Sequence, residues 1–343
     1  MLLPMILRPK SSPRHHGRLT GVTAVTPAAP IPGWLRRAVP DAQTLAAQAF
    51  DDVAITAGAA IGALDATVRR QERWAGAWRQ RLALAAASVT ARQAGRVEDE
   101  PALRDAVLLT RPGDDVGPAG KMLLAWRRLA SSPSEELLTE ATIAGVLEAL
   151  GLARHDEMAN ELADELRQFA TTEGAVGMLI GAFAAVERRG LPRTVGRWFA
   201  DALLAQRLGW AHAVPVMGGE AALGMAVGRP RSAATFMAAA NIDTGLDPAK
   251  GLLAAQARAA LRAIDLSAEL ERRADRLLTV APRLRARGAD IVVNRLLSHD
   301  AIVASEKIAG MSARSLRRLF DRLVDLGAVR ELSGRTTFRI YGI

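Results

Sequence analysis

From residue 41 to about residue 280 leucine and alanine dominate the chain and runs of β-branched residues are scarce, a composition that favours helix throughout and supplies no material for a large sheet. Apolar spacing predicts three helices between Asp41 and Leu129, broken near 95–101 and 111–118. Further helices are expected over 134–150, 155–170, 175–188, 195–208, 231–240 and 248–278. Trp74 and Trp78 lie one turn apart and read as core anchors. Residues 1–40 hold seven prolines, including Pro4, Pro9, Pro27 and Pro32, and no periodicity, so a disordered basic tail is expected there. The expected division is therefore 1–40 tail, 41–284 all-α domain and 285–343 terminal domain.

The terminal domain carries a different pattern. Ile291, Val292, Leu296 and Leu297 give one short amphipathic helix, and Ile302, Val303, Ile308 and Ala309 allow a second before Gly310. A third opens at the cap residue Ser312, with Leu316, Leu319, Phe320, Leu323, Val324 and Leu326 in one stripe, and Gly327 closes it. Two strand-like runs follow, Val329 to Leu332 and Thr336 to Tyr341, the second alternating Phe338 and Ile340 with Thr337 and Arg339. Helix, helix, turn, helix, hairpin is the order of a winged helix-turn-helix. On the third helix Arg314, Arg317 and Arg318 occupy the N-terminal half of the face opposite the stripe, and Asp321 and Asp325 the C-terminal half. That polarity suits a helix entering the major groove of double-stranded DNA by its N-terminus. Ser312, Arg314, Ser315, Arg317 and Arg318 are the expected groove contacts, and Arg330, Arg335 and Arg339 a basic wing. Pairing of Arg317 and Arg318 with Asp321 along a solvated helix is the alternative.

Charge is segregated in the same sense. The formal net charge is +9, and the segment from Arg283 onward holds 12 bases against 6 acids. The first forty residues hold six bases and no acid, which leaves 27 bases and 30 acids for 41–282. Basic ends around a near-neutral body favour a polyanion partner for the ends. The chain has no cysteine, which excludes disulfides, thiolate metal sites and a cysteine nucleophile and suits a cytoplasmic location. The apolar start, Met1 to Leu7, is too short for a spanning helix and its positive charges follow it, so no secretory signal and no membrane partner are expected.

Catalytic chemistry is thinly represented. Five histidines include no pair with zinc-site spacing, and the carboxylates Asp156, Glu157, Glu161, Asp164 and Glu165 read as a solvated face beside Arg154 and Arg167. Asp114 and Asp115 sit in a Gly- and Pro-bounded loop, where one of them is expected to cap the helix that follows. Trp210, Ala211 and His212, with Pro215, Gly218, Gly219 and Glu220, distantly resemble the loop of Fic-type nucleotidyl transferases, which implies a histidine base and a phosphate-binding turn. The pattern departs at three points: Ala213 follows His212 where proline is expected, Val216 holds the acidic position, and Glu220 holds the arginine position. A degenerate transferase, with no catalytic, cofactor or metal site, is what that resemblance leaves.

A wider resemblance covers most of residues 33–343. The runs Trp78 to Leu82, Gly113 to Gly120, Arg207 to Trp210, Val280 to Leu284 and Leu326 to Tyr341 are similar to a bacterial, mostly plasmid-associated family of about this length, known as a domain of unknown function. The last of these runs also resembles the winged-helix end of Fic-type proteins. The expectation is a mainly α protein that binds double-stranded DNA through a C-terminal winged helix, as a transcription regulator or plasmid-maintenance factor. The helical body would provide homodimerisation or ligand sensing. A winged helix packed on a protein partner is the alternative from another class.

Overall fold

In the computed structural model the described residues are 31–111, 113–220, 247–335 and 337–343. They form thirteen α-helices and one small sheet. The helix expected over 231–240 and most of the expected tail lie outside the described residues. The body begins with α1 (Gly33–Ala38), α2 (Ala42–Ala46), α3 (Phe50–Arg69), α4 (Ala75–Gln93), α5 (Glu100–Leu108) and α6 (Gly117–Ser131). It continues with α7 (Glu140–Ala149), α8 (Asp156–Thr172), α9 (Ala175–Arg188), α10 (Arg193–Leu208) and α11 (Pro248–Val280). The terminal segment adds α12 (Ala289–Ser298), β1 (Ile302–Val303), α13 (Ala313–Asp325), β2 (Arg330–Glu331) and β3 (Ile340–Gly342).

Five helices, not three, occupy 42–131. The extra breaks fall at 47–49, after α2, and at 70–74, where Gln71 takes a positive φ of 46° with neither glycine nor proline to mark the turn. Residues 33–38, placed in the tail by the prolines around them, form α1, because Leu35 is apolar enough to be buried against the body at 1 % exposure.

Long α11 lies along α3, α4 against α6, and α10 against α9. Alanine makes these approaches close: Ala83, Ala86, Ala87 and Ala91 are all buried on α4. Tryptophans then tie the layers together with both ring and nitrogen. Trp78 Nε1 donates to the Ala263 carbonyl of α11 at 2.8 Å, Trp126 to Thr90 Oγ1 at 2.9 Å and Trp198 to the Ala125 carbonyl at 3.1 Å. Asp115 accepts the Gly117 N–H at 3.1 Å beside the start of α6, but the N-cap residue of that helix is Val116 and no side chain caps it.

Residues 285–343 pack against this body, and 31–343 cohere as one unit by contact. α12 lies on α4 so closely that a Cβ on Gly76 would stand 2.6 Å from the Ser298 carbonyl oxygen. The sheet has the order β1–β3–β2, antiparallel throughout, with Ile302 opposite Tyr341 and Glu331 opposite Tyr341 on the other side. The helix expected around Ile302 to Ala309 is not formed: Ile302 and Val303 are strand and turns follow. Both are β-branched, and pairing with Tyr341 and Ile340 satisfies their backbone at once. Phe338 also departs from the expected alternation. It sits at φ 54° and 66 % exposed, whereas Ile340 is buried.

Candidate nucleic-acid interface

Ser312 begins α13 by accepting the Ser315 N–H on its Oγ at 3.2 Å, and the two hydroxyls lie 3.0 Å apart. Both serines are thus engaged in the cap. Leu316, Leu319, Phe320 and Leu323 face inward, and Phe320 stacks on Tyr341 of β3 with ring centroids 4.3 Å apart and planes 4° from parallel. Gly327, at φ 63°, lets the chain reverse so that the Ala328 N–H returns to the Leu323 carbonyl at 2.9 Å. Helix and sheet therefore fix each other, and the opposite face of α13 is left to solvent.

On that face Arg314, Arg317 and Arg318 are all exposed, and none makes an ion pair among the described residues. Arg330, on β2, is exposed and unpaired in the same sense. The other two wing arginines are differently placed. Arg335 is bonded to Asp105 of α5, and Arg339 lies 3.8 Å from Asp321 and 3.7 Å from Glu331. Asp321 is thus approached by the hairpin instead of by Arg317 or Arg318. Of the eight residues singled out in the sequence, the structure brings Arg314, Arg317 and Arg318 together as free cations, commits Ser312 and Ser315 to the cap, and couples Arg335 and Arg339 to acids.

The terminal segment is held in place by a buried ionic hub that the sequence did not reveal. Asp300, 1 % exposed, lies between α12 and β1. Arg81 of α4 bonds one carboxylate oxygen, and Arg104 of α5 donates its Nε to the other at 2.6 Å. Arg81 also reaches the backbone carbonyls of Asp300 at 3.3 Å and Ile343 at 3.4 Å, while Arg273 of α11 donates to Ile343 at 3.3 Å. Burial alone would raise the Asp300 carboxyl, but Arg81, Arg104 and Arg127 together outweigh it and hold the group below its ordinary value. Three body helices thus converge on one end of the small sheet, where antiparallel pairing sets Asp300 beside the residues that close β3.

The segment around His212 forms a second buried network. His212 Nδ1 donates to the Ser132 carbonyl at 3.1 Å, and Trp210 Nε1 donates to Asp65 at 2.8 Å. The N–H of Met217 points at both oxygens of Asp201, 3.0 Å from each, so a carboxylate of the chain itself sits where a phosphate-binding turn would take its ligand. Glu220 is buried and ion-paired with Arg262 at 3.1 Å. Burial pushes the Asp201 carboxyl well above its ordinary value, opposed by the backbone N–H groups of 216–218 and by Arg197; burial likewise pushes Arg197 down to about 10.

Asp201 carries a pH signature. Because its folded value is raised, its contribution to stability is greatest at acid pH and is lost as pH rises from the ordinary carboxylate value through the folded one. Asp201→Asn, which cannot ionise, is expected to gain on the wild-type protein as pH rises above the ordinary carboxylate value near about 4 in urea denaturation. A difference between the two proteins that stays constant over that rise would refute the assignment.

Among the described residues no group of three or more His, Asp or Glu side chains is arranged to hold a metal ion, and no helix is long and apolar enough to cross a membrane. Comparison with curated proteins finds no match. A family comparison does: residues 22–343 match the family described as "Protein of unknown function (DUF1403)", and the chain belongs to that family.

Proposed function

We propose that residues 285–343 are a winged helix-turn-helix that binds double-stranded DNA, with α13 as the recognition helix. The order α12, β1, α13, β2, β3 and the sheet order β1–β3–β2 support the winged-helix reading, with turns standing where a second helix was expected. One observation carries the DNA reading. Arg314, Arg317 and Arg318 crowd the N-terminal half of α13, where the helix dipole disfavours cations, and no acid of the described chain answers them. In the body Arg36, Arg70, Arg104, Arg154 and Arg189 pair with acids, whereas the exposed Arg37, Arg92, Arg207, Arg272 and Arg276 make no ion pair among the described residues, so what sets α13 apart is three such cations on one half of one helix face. Phosphates and base edges would supply what the chain withholds.

The pairing pattern ranks the contacts. Arg317→Ala removes a free cation, whereas Arg335→Ala removes one already bound to Asp105. In anisotropy titrations of a labelled duplex with the whole chain, Arg317→Ala is expected to weaken binding by about tenfold or more, and Arg335→Ala by less than about threefold. Equal losses would mean that the hairpin, not α13, leads the contact.

A further inference from the structure

Beside the arginine face lies a groove of different chemistry. It runs between the 280–286 segment and α13, with a volume of about 460 Å³. Arg283 and Arg285 stand on one bank and Arg318 and Arg322 on the other, all exposed, and none makes an ion pair among the described residues. The lining includes no acid. Leu319, buried, and Leu326, 38 % exposed, give the α13 bank an apolar surface.

Four unanswered arginines over leucine select an occupant that is both acidic and apolar. A DNA backbone would satisfy the guanidinium groups but has nothing apolar to set against Leu326, whose exposed surface gains free energy only when another apolar group covers it. The chain's own remaining segments do not complement the groove. Residues 1–30 contain no Asp or Glu, and residues 221–246 contain Asp243 alone. A second copy of the chain could offer Asp51 and Asp52, exposed and without an ion pair among the described residues, beside the exposed Phe50 and Ile55.

We infer that this groove is a docking site for a short acidic segment of another protein, one that carries leucine-like anchors between its carboxylates. Arg318 belongs both to the groove and to the proposed DNA face, so such a segment competes with DNA. That competition rests on the DNA reading of α13; the docking itself does not.

The test uses the whole chain and a labelled peptide of about eighteen residues made of Leu and Glu, with leucines at helical three-and-four spacing, beside a scrambled peptide of the same composition. The ordered peptide is expected to bind about tenfold more tightly than the scrambled one. Leu326→Ser and Arg322→Ala are each expected to weaken it several-fold, and excess duplex to displace it. Equal binding of both peptides, or binding of neither, overturns the proposal. So does a loss of duplex affinity in Leu326→Ser and Arg322→Ala as large as in Arg317→Ala, since the groove would then belong to the nucleic-acid face. Self-association of the whole chain that Leu326→Ser abolishes would make a second copy the occupant and overturn the proposal as well. If the ordered peptide binds selectively and duplex does not bind at all, the groove assignment stands and the DNA reading falls.

Discussion

Asp300→Asn is expected to destabilise the protein by about 3–5 kcal/mol, the cost of removing one partner from a buried charge cluster. The substitution preserves shape but leaves Arg81 and Arg104 facing each other without a counter-charge in a site that water does not reach. An exposed pair provides the contrast: Asp265→Asn breaks the 2.6 Å bridge to Arg36, half-exposed on both sides, and should cost no more than about 1 kcal/mol. Asp300 also sets an acid limit. Its folded value is depressed, so its contribution is present above the ordinary carboxylate value near about 4 and is lost as pH falls through the depressed one. The difference between wild type and Asp300→Asn in urea denaturation should therefore shrink below about pH 4. A cost similar to that of Asp265→Asn would mean that the hub is not what joins α4 and α5 to the terminal segment.

The triple variant Arg314→Ala, Arg317→Ala, Arg318→Ala is expected to lose duplex affinity by about a hundredfold or more while keeping the wild-type unfolding midpoint within error. Stability should be spared because all three side chains are exposed and unpaired, and alanine is the better helix former. Loss of affinity with loss of fold would not count. Affinity unchanged in a folded triple variant would remove α13 from the interface.

How much of this could be read from the chain depended on sequence distance. Helices such as α9 and α10 follow directly from their apolar spacing, and α13 is legible down to its cap because Ser312, the leucine stripe and Gly327 all lie within one element. Ile302 and Val303 misled because two residues are too few to show alternation, and their strand exists only through Tyr341 and Ile340 some forty positions later. The prolines near α1 hid Leu35 for a related reason, since burial against the body is invisible locally. Within the interface, exposure of Arg314, Arg317 and Arg318 was legible from helical geometry. The fate of Arg335 was not, because its acid lies 230 positions away, and Asp300 meets Arg104 across 196. Long-range ion pairs decide which of the arginines remain free, and periodicity carries no trace of them.

If the free arginines on α13 meet DNA phosphates as proposed, duplex binding by the whole chain must depend steeply on salt. Each phosphate neutralised contributes a slope of about −0.9 to a plot of log affinity against log salt. A slope of about −3 or steeper is expected for the wild-type chain, made shallower by about 2 to 3 in the Arg314, Arg317, Arg318 triple variant. No binding at low ionic strength, or a slope that the triple variant leaves unchanged, would contradict the DNA reading.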